Sequence, residues 1–200
     1  MDAADWDARY SSSPRLEWGA EPNRWVAGAL ADLPPGRALD LGCGEGRNAL
    51  WLARRGWTVT AVDFSGTGID KGRQLTGDLP VHWVVDDLLA YPVTPGTQDA
   101  VVVAYLHLYP EARRDVLRRA AQGLAPGGVL LVVGHDTTNL TDGVGGPREA
   151  AILFTPDDVV ADLADLPGLR VERAEQVRRP VGDREAVDAL VVLRAPEPVP

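Results

Sequence analysis

The chain has 200 residues, 45% of them apolar and 24% charged, which suits one soluble globular domain at roughly 100–200 residues per domain and excludes a fibre or a disordered tail. Twenty basic residues against 29 acidic ones leave a net charge of −9, a balance that repels polyphosphate and makes nucleic acid an unexpected partner. The single cysteine, Cys43, rules out an intramolecular disulfide and a multi-cysteine zinc site, and no metal is expected.

In chain order, residues 1–35 read as a segment preceding the core, with apolar positions Trp25, Val26, Ala29, Leu30 and Leu33 at helical spacing. From there short β-rich apolar runs alternate with helical stretches. Strands are expected at Arg37–Leu41, Trp57–Asp63, Val81–Val85, Ala100–Ala104 and Val129–Val133, with helices at Arg47–Arg55, Gly68–Leu75, Pro110–Leu124 and Pro156–Leu163 between or after them. Such alternation implies parallel pairing. The unbroken apolar run Ala100-Val101-Val102-Val103-Ala104 fits a strand covered on both faces. Leu169–Val177 and Ala186–Leu193 follow without room for a crossover helix, so they are expected as an antiparallel hairpin at one sheet edge. The reading is a single α/β domain, doubly wound and Rossmann-like, with a mostly parallel seven-stranded sheet. Its core spans 36–195 and a frayed tail covers 196–200. The apolar runs fall far below the ~18–20 residues needed to cross a bilayer. The start, Met1-Asp2-Ala3-Ala4-Asp5, is acidic where a leader would be basic. The expectation is a cytoplasmic protein with no membrane partner.

In this architecture ligands bind beyond the carboxyl ends of the strands. Ala38-Leu39-Asp40-Leu41-Gly42-Cys43-Gly44-Glu45-Gly46 leads from the first strand into the next helix, and its glycines let a ligand approach main-chain N–H groups. Dinucleotide sites use Gly-x-Gly-x-x-Gly. Here the spacing is Gly-x-Gly-x-Gly behind Asp40, whose carboxylate repels phosphate and attracts an ammonium or sulfonium. Asp63 closes the second strand and Asp86-Asp87-Leu88 the third.

With these residues the chain resembles the class I S-adenosylmethionine-dependent methyltransferases from roughly Trp6 to its end. The resemblance makes the glycine segment the family's first motif, with Asp40, Gly42, Cys43 and Gly44 at the cofactor. It implies that Asp63 holds both ribose hydroxyls, with Phe64 beside it. Asp86 or Asp87 is implied to accept from the adenine amine while Leu88 packs on the ring; the other aspartate of the pair caps the next turn. Leu124–Leu130 is similar to the turn before the family's fifth strand. Trp6–Tyr10, Trp18-Gly19 and Gly46-Arg47-Asn48 resemble the small-molecule tellurite-resistance and thiopurine type, which implies Tyr10, Arg24 or Asn48 at the methionine end and Trp18 in a segment that folds over the cofactor. The implied cofactor is S-adenosyl-L-methionine, and the implied partner is a small-molecule methyl acceptor.

His107, in Tyr105-Leu106-His107-Leu108, falls after the fourth strand, where this fold faces the transferred methyl. His107, with Tyr105, is a candidate catalytic group that removes an acceptor proton, or else His107 packs or bonds to backbone. Tyr105 is also expected at the cofactor. His135-Asp136 reads as structural or substrate-shaping and His82 as structural. Trp51 and Trp57 read as core, and Cys43 as a small residue rather than a nucleophile. Thr137–Gly146 is either a lid or a plain loop. Two rival functions remain: a nicotinamide-dependent oxidoreductase and a non-catalytic S-adenosylmethionine-binding protein. The oligomeric state is not readable.

Overall fold

A computed structural model describes residues 2–197; residues 198–200 of the expected tail lie outside the described residues. Seven strands form one sheet in the order β3-β2-β1-β4-β5-β7-β6: β1 Arg37–Leu41, β2 Thr58–Asp63, β3 Val81–Val85, β4 Gln98–Ala104, β5 Leu124–His135, β6 Arg170–Val181 and β7 Arg184–Arg194. β1 to β5 pair in parallel, while β7 runs antiparallel to both β5 and β6. The expected hairpin is therefore present, with β7 inserted beside β5 and β6 at the edge.

Seven α-helices accompany the sheet among the described residues: α1 Ala3–Ser11, α2 Arg24–Leu30, α3 Arg47–Arg54, α4 Gly66–Gln74, α5 Pro110–Gln122, α6 Asn139–Asp142 and α7 Pro156–Leu163. Alternation along each strand divides the core in two. Ala38, Val102, Leu131, Val133 and Leu190 pack with α2, α3 and Ile69 of α4. Leu39, Val101, Val103, Leu130 and Val191 pack with Val116 and Leu117 of α5 and Val159 and Leu163 of α7. Both faces are covered, which explains why the central strands tolerate no polar residue until their ends.

Several expected boundaries shift for identifiable reasons. β5 begins at Leu124 because Leu124 already pairs with Gln98, after which residues 125–128 bulge out and the ladder resumes at Val129 opposite Ala100. α5 accordingly stops at Gln122. α1 was not anticipated; its start is fixed by a reciprocal cap in which Asp2 accepts from the Asp5 amide and Asp5 from that of Asp2. Thr137–Gly146 carries the short α6 and is tethered to the sheet. Within it Asn139 accepts from the Val187 amide at 2.7 Å and donates to the Gly145 carbonyl at 2.9 Å. Trp57 is core as expected, His82 is exposed, and Trp51 is only partly buried beneath the Arg55 guanidinium.

Candidate functional site

The parallel strands end together, and the turn after β1 is drawn onto β2 by the Gly42 and Cys43 amides, which both donate to the Val62 carbonyl. Asp40 is 1% exposed, and neither carboxylate oxygen has a hydrogen-bond partner in the protein. Burial, reinforced by Asp63 and only partly offset by the Ala49 amide and the charge of Arg47, pushes its pKa up to about 7, so the chain holds here a carboxyl group with no salt-bridge partner. Gly44 adopts φ +55°, and a Cβ there would lie 2.6 Å from the Tyr10 hydroxyl. Only glycine fits a left-handed turn so closely covered.

Asp63 accepts from the Gly44 amide at 2.8 Å and the Ser65 amide at 2.9 Å, one bond per oxygen. A carboxylate oxygen has a second lone pair, so the side chain fixes the turn and can still accept from a diol. Phe64, half-buried, follows it. Of the Asp86–Asp87 pair, Asp87 caps the next turn by accepting from the Leu89 amide, which leaves Asp86, also exposed, with a single bond from the Asp87 amide. Leu88 is buried against Gly42, and Leu106 lies against the same glycine. Leu106 was not singled out in the sequence, since its proximity depends on β4 lying next to β1.

The expected methionine-end residues separate. Tyr10 is buried over the glycine turn, held there because Asp7 accepts from the Ser65 hydroxyl and the Thr67 amide. Asn48 is occupied in accepting from the Asn23 amide at 2.8 Å. Arg24 is exposed and lies over the Trp25 ring. Trp18 is 46% exposed with the Arg9 guanidinium on its ring. Asn48 and Arg24 thus make local contacts, Asn48 to the start of α2 and Arg24 to Trp25. Cys43 is buried, and burial followed by the neighbouring Asp40 and Asp63 carboxyls pushes its thiol well above the usual range, the opposite of nucleophile activation.

Beyond β4 lies a second polar group. Tyr105 is the only non-glycine residue at positive φ (58°) among those described. Its hydroxyl donates to Asp188 at 2.8 Å and accepts from the Arg179 Nε at 3.0 Å. His107 Nε2 accepts from the His135 backbone amide at 3.1 Å, and burial followed by His135 pulls the imidazole pKa down to about 4. The backbone-bonded alternative for His107 is the one its geometry favours. A base needs a free lone pair; His107 has spent the relevant one on the chain. No group of three His, Cys, Asp or Glu among the described residues is placed to hold a metal.

Residues 38–128 match the family model described as a methyltransferase domain. An uncharacterized methyltransferase of Mycobacterium tuberculosis is 35% identical over 117 residues, 58% of this chain and 59% of that protein; the chain thus matches about three fifths of this relative's length. Two other relatives carry different acceptors in their names: a ribosomal RNA small subunit methyltransferase C of Alcanivorax borkumensis (31% identical; 50% of this chain, 33% of that protein) and a fatty-acid O-methyltransferase of Mycolicibacterium smegmatis (38%; 52% and 38%). The N-methyltransferase NodS of Bradyrhizobium japonicum, solved with S-adenosyl-L-homocysteine, superposes with a TM-score of 0.75 at 19% identity over 98% of this chain and 100% of that one. TehB of Haemophilus influenzae gives 0.73 at 19% over 98% and 68%. At such identities the structures establish the fold. Residues 38–128 thus match a methyltransferase-domain model, and the described chain shares its fold with NodS, which was solved with S-adenosyl-L-homocysteine.

Proposed function

We propose that the chain binds S-adenosylmethionine across the ends of β1, β2 and β3 and transfers its methyl group to a small-molecule acceptor. The observation that carries this reading is Asp40, buried with both oxygens unpartnered beside a turn that only glycine can form. A buried charge without a partner is costly, and the cofactor's ammonium supplies one. Asp63 is then the ribose ligand and Asp86 the adenine-amine ligand, with Leu88 and Leu106 at the ring and Tyr10 closing over the methionine end. Bound there, S-adenosylmethionine supplies a methyl group on a positively charged sulfur. The chain's contribution is to orient that methyl and exclude water, which supplies much of the rate when the nucleophile is held at attack distance.

A small acceptor is favoured over RNA because the chain carries 29 acidic residues against 20 basic ones, which opposes a polyanion. We treat the protein as a single cytoplasmic domain with residues 1–35 as its cap; no helix among the described residues is long and apolar enough to cross a membrane. Calorimetry with S-adenosylmethionine, S-adenosylhomocysteine, NAD and ATP tests the reading. The first two should bind and the last two bind much more weakly; preference for NAD returns the oxidoreductase alternative, and binding without turnover on any acceptor returns the sensor.

A further inference from the structure

Asp188 is 0% exposed, yet donors surround one of its oxygens. Its Oδ2 accepts from the Tyr105 hydroxyl at 2.8 Å, the Arg179 Nε at 3.0 Å and the Trp25 indole at 3.3 Å. Three donors on one oxygen mark an ionised carboxylate. The other oxygen, Oδ1, has no hydrogen-bond partner, and neither does the buried Nδ1 of His135, which lies 3.4 Å away. The two residues are cross-strand partners in the β5–β7 ladder, so their side chains project from the same face. An acceptor-only oxygen opposite an orphaned ring nitrogen is satisfied only if that nitrogen carries the proton. Asp188 therefore fixes the His135 tautomer with hydrogen on Nδ1, leaving on Nε2 a lone pair that pairs with no hydrogen-bond donor of the protein. The ring is held by stacking on His107 (15° between planes) and by the edge contact with Tyr105, and Gly146 lies against it so closely that a Cβ there would be 2.4 Å from Cδ2. Tyr105, edge-on to His135, directly follows β4, the strand beside β1, so on the methyl-transfer reading Nε2 borders the acceptor's place.

Resting on the methyl-transfer reading above, we infer that His135, oriented by Asp188, is the general base for an acceptor that reacts through an O–H or N–H group. Nε2 takes the acceptor's proton as the freed lone pair forms a bond to the methyl carbon; the carbon–sulfur bond breaks and its electron pair stays on sulfur, giving neutral S-adenosylhomocysteine and an imidazolium held beside Asp188. Burial keeps His135 below the ordinary histidine pKa, Asp188 opposing and Arg179 assisting that shift, so the imidazole is neutral and able to accept at pH 7. The charged and titratable groups around it are Asp188 and Arg179 from the hairpin, Tyr105 and His107 from the segment after β4, and Arg47 from α3, whose field reaches Tyr105 and Arg179. Asp136, its neighbour in sequence, turns instead to the Thr138 amide and hydroxyl.

The test uses the whole protein labelled with ¹⁵N-histidine, as wild type, His135→Gln and Asp188→Asn, with phenol and thiophenol as probe acceptors. Wild-type spectra at neutral pH should show His135 protonated on Nδ1 and bare on Nε2, and Asp188→Asn should mix the tautomers. His135→Gln should lower methylation of phenol by ~10²-fold or more, with a loss at least tenfold smaller for thiophenol, whose sulfur ionises without help. A proton on Nε2 in the wild type overturns the inference, as do equal losses with both probes or methylation of thiophenol alone by the wild type. If neither probe reacts, the tautomer decides. Calorimetric binding of S-adenosylmethionine to all three proteins separates these outcomes from failure of the underlying reading, which a wild type that binds none would show.

Discussion

Asp40 titrates where proteins are usually handled, and that makes its role measurable. Its folded-state pKa of about 7 lies above the ~3.9 of an unfolded aspartate. Its contribution to stability is therefore complete below the unfolded value and is lost as pH rises through about 7, a decline of a few kcal/mol in all. An ammonium beside the carboxyl favours the ionised form, so S-adenosylhomocysteine binding at pH 6 should expel close to one proton. Calorimetry in two buffers of different ionisation enthalpy reads this directly. Asp40→Asn should abolish the proton release; release that persists in the variant means another group faces the ligand. Asp63 makes a second case. Replacing it with Ala removes charge-assisted bonds worth ~1.5–3 kcal/mol each and should weaken cofactor binding about a hundredfold or more, and because it also holds the Gly44 and Ser65 amides a fall in thermal stability should accompany it. Unaltered affinity would mean that the ribose is held elsewhere. What the sequence left open has a physical reason: nothing local distinguishes a histidine whose lone pair meets a backbone amide from one whose lone pair does not, because that depends on how β4 and β5 lie together, as the bond from the His135 amide to His107 shows.

Strands and helices were largely legible because each is bounded by its own chemistry: Gly42 and Gly44 end β1, and Thr155-Pro156 opens α7 with a reciprocal cap to Asp158. Asp40, Asp63 and Asp86 stand out in the sequence for the same reason, each being the first acidic residue after an apolar run. Less legible was α1, whose two aromatic residues give no apolar face and whose anchors, Ser65, Thr67 and Lys71, are more than fifty residues away in the chain. Lys71 carried an unread signal as the one lysine among nineteen arginines. Its compact ammonium reaches the Ser13 carbonyl, the Arg15 carbonyl and the Glu45 carboxylate together, a three-donor convergence that a planar guanidinium does not reproduce. Helix and strand also meet across glycine at Trp83, which lies against Gly46 and Gly72 and donates its indole N–H to Thr76. Gly72→Ala would place a methyl 2.4 Å from Trp83 Cη2 and 2.9 Å from the Glu45 carbonyl oxygen. Overpacking of this kind costs ~1–3 kcal/mol and should lower the urea midpoint without altering the slope; a midpoint equal to that of the wild type would show that α4 shifts freely on the sheet.

Across the whole molecule, both cores press on one continuous sheet, and polar groups gather at the carboxyl ends of its strands, where Asp40 and Asp188 face the same side. Negative charge dominates the surface, so RNA should not be retained by the protein on a filter even at low salt, where electrostatic attraction is greatest; retention that fades steeply with added salt would point to a polyanionic acceptor instead. The cap completes this end of the molecule. Tyr10 lies on the glycine turn because α1 is fastened to α4 through Asp7, the segment after it through Lys71, and Trp18 through its carbonyl to Arg47. On the proposed reading the cofactor's methionine end lies beneath Tyr10, so its release is expected to need those fastenings to open. Dwell time is thereby uncoupled from the strength of the ligand's own contacts: Asp7→Ala should speed release of S-adenosylhomocysteine in stopped-flow measurements, and speed its entry by a similar factor, with little change in affinity. The pace at which the protein empties and refills is then governed by residues that touch neither ligand.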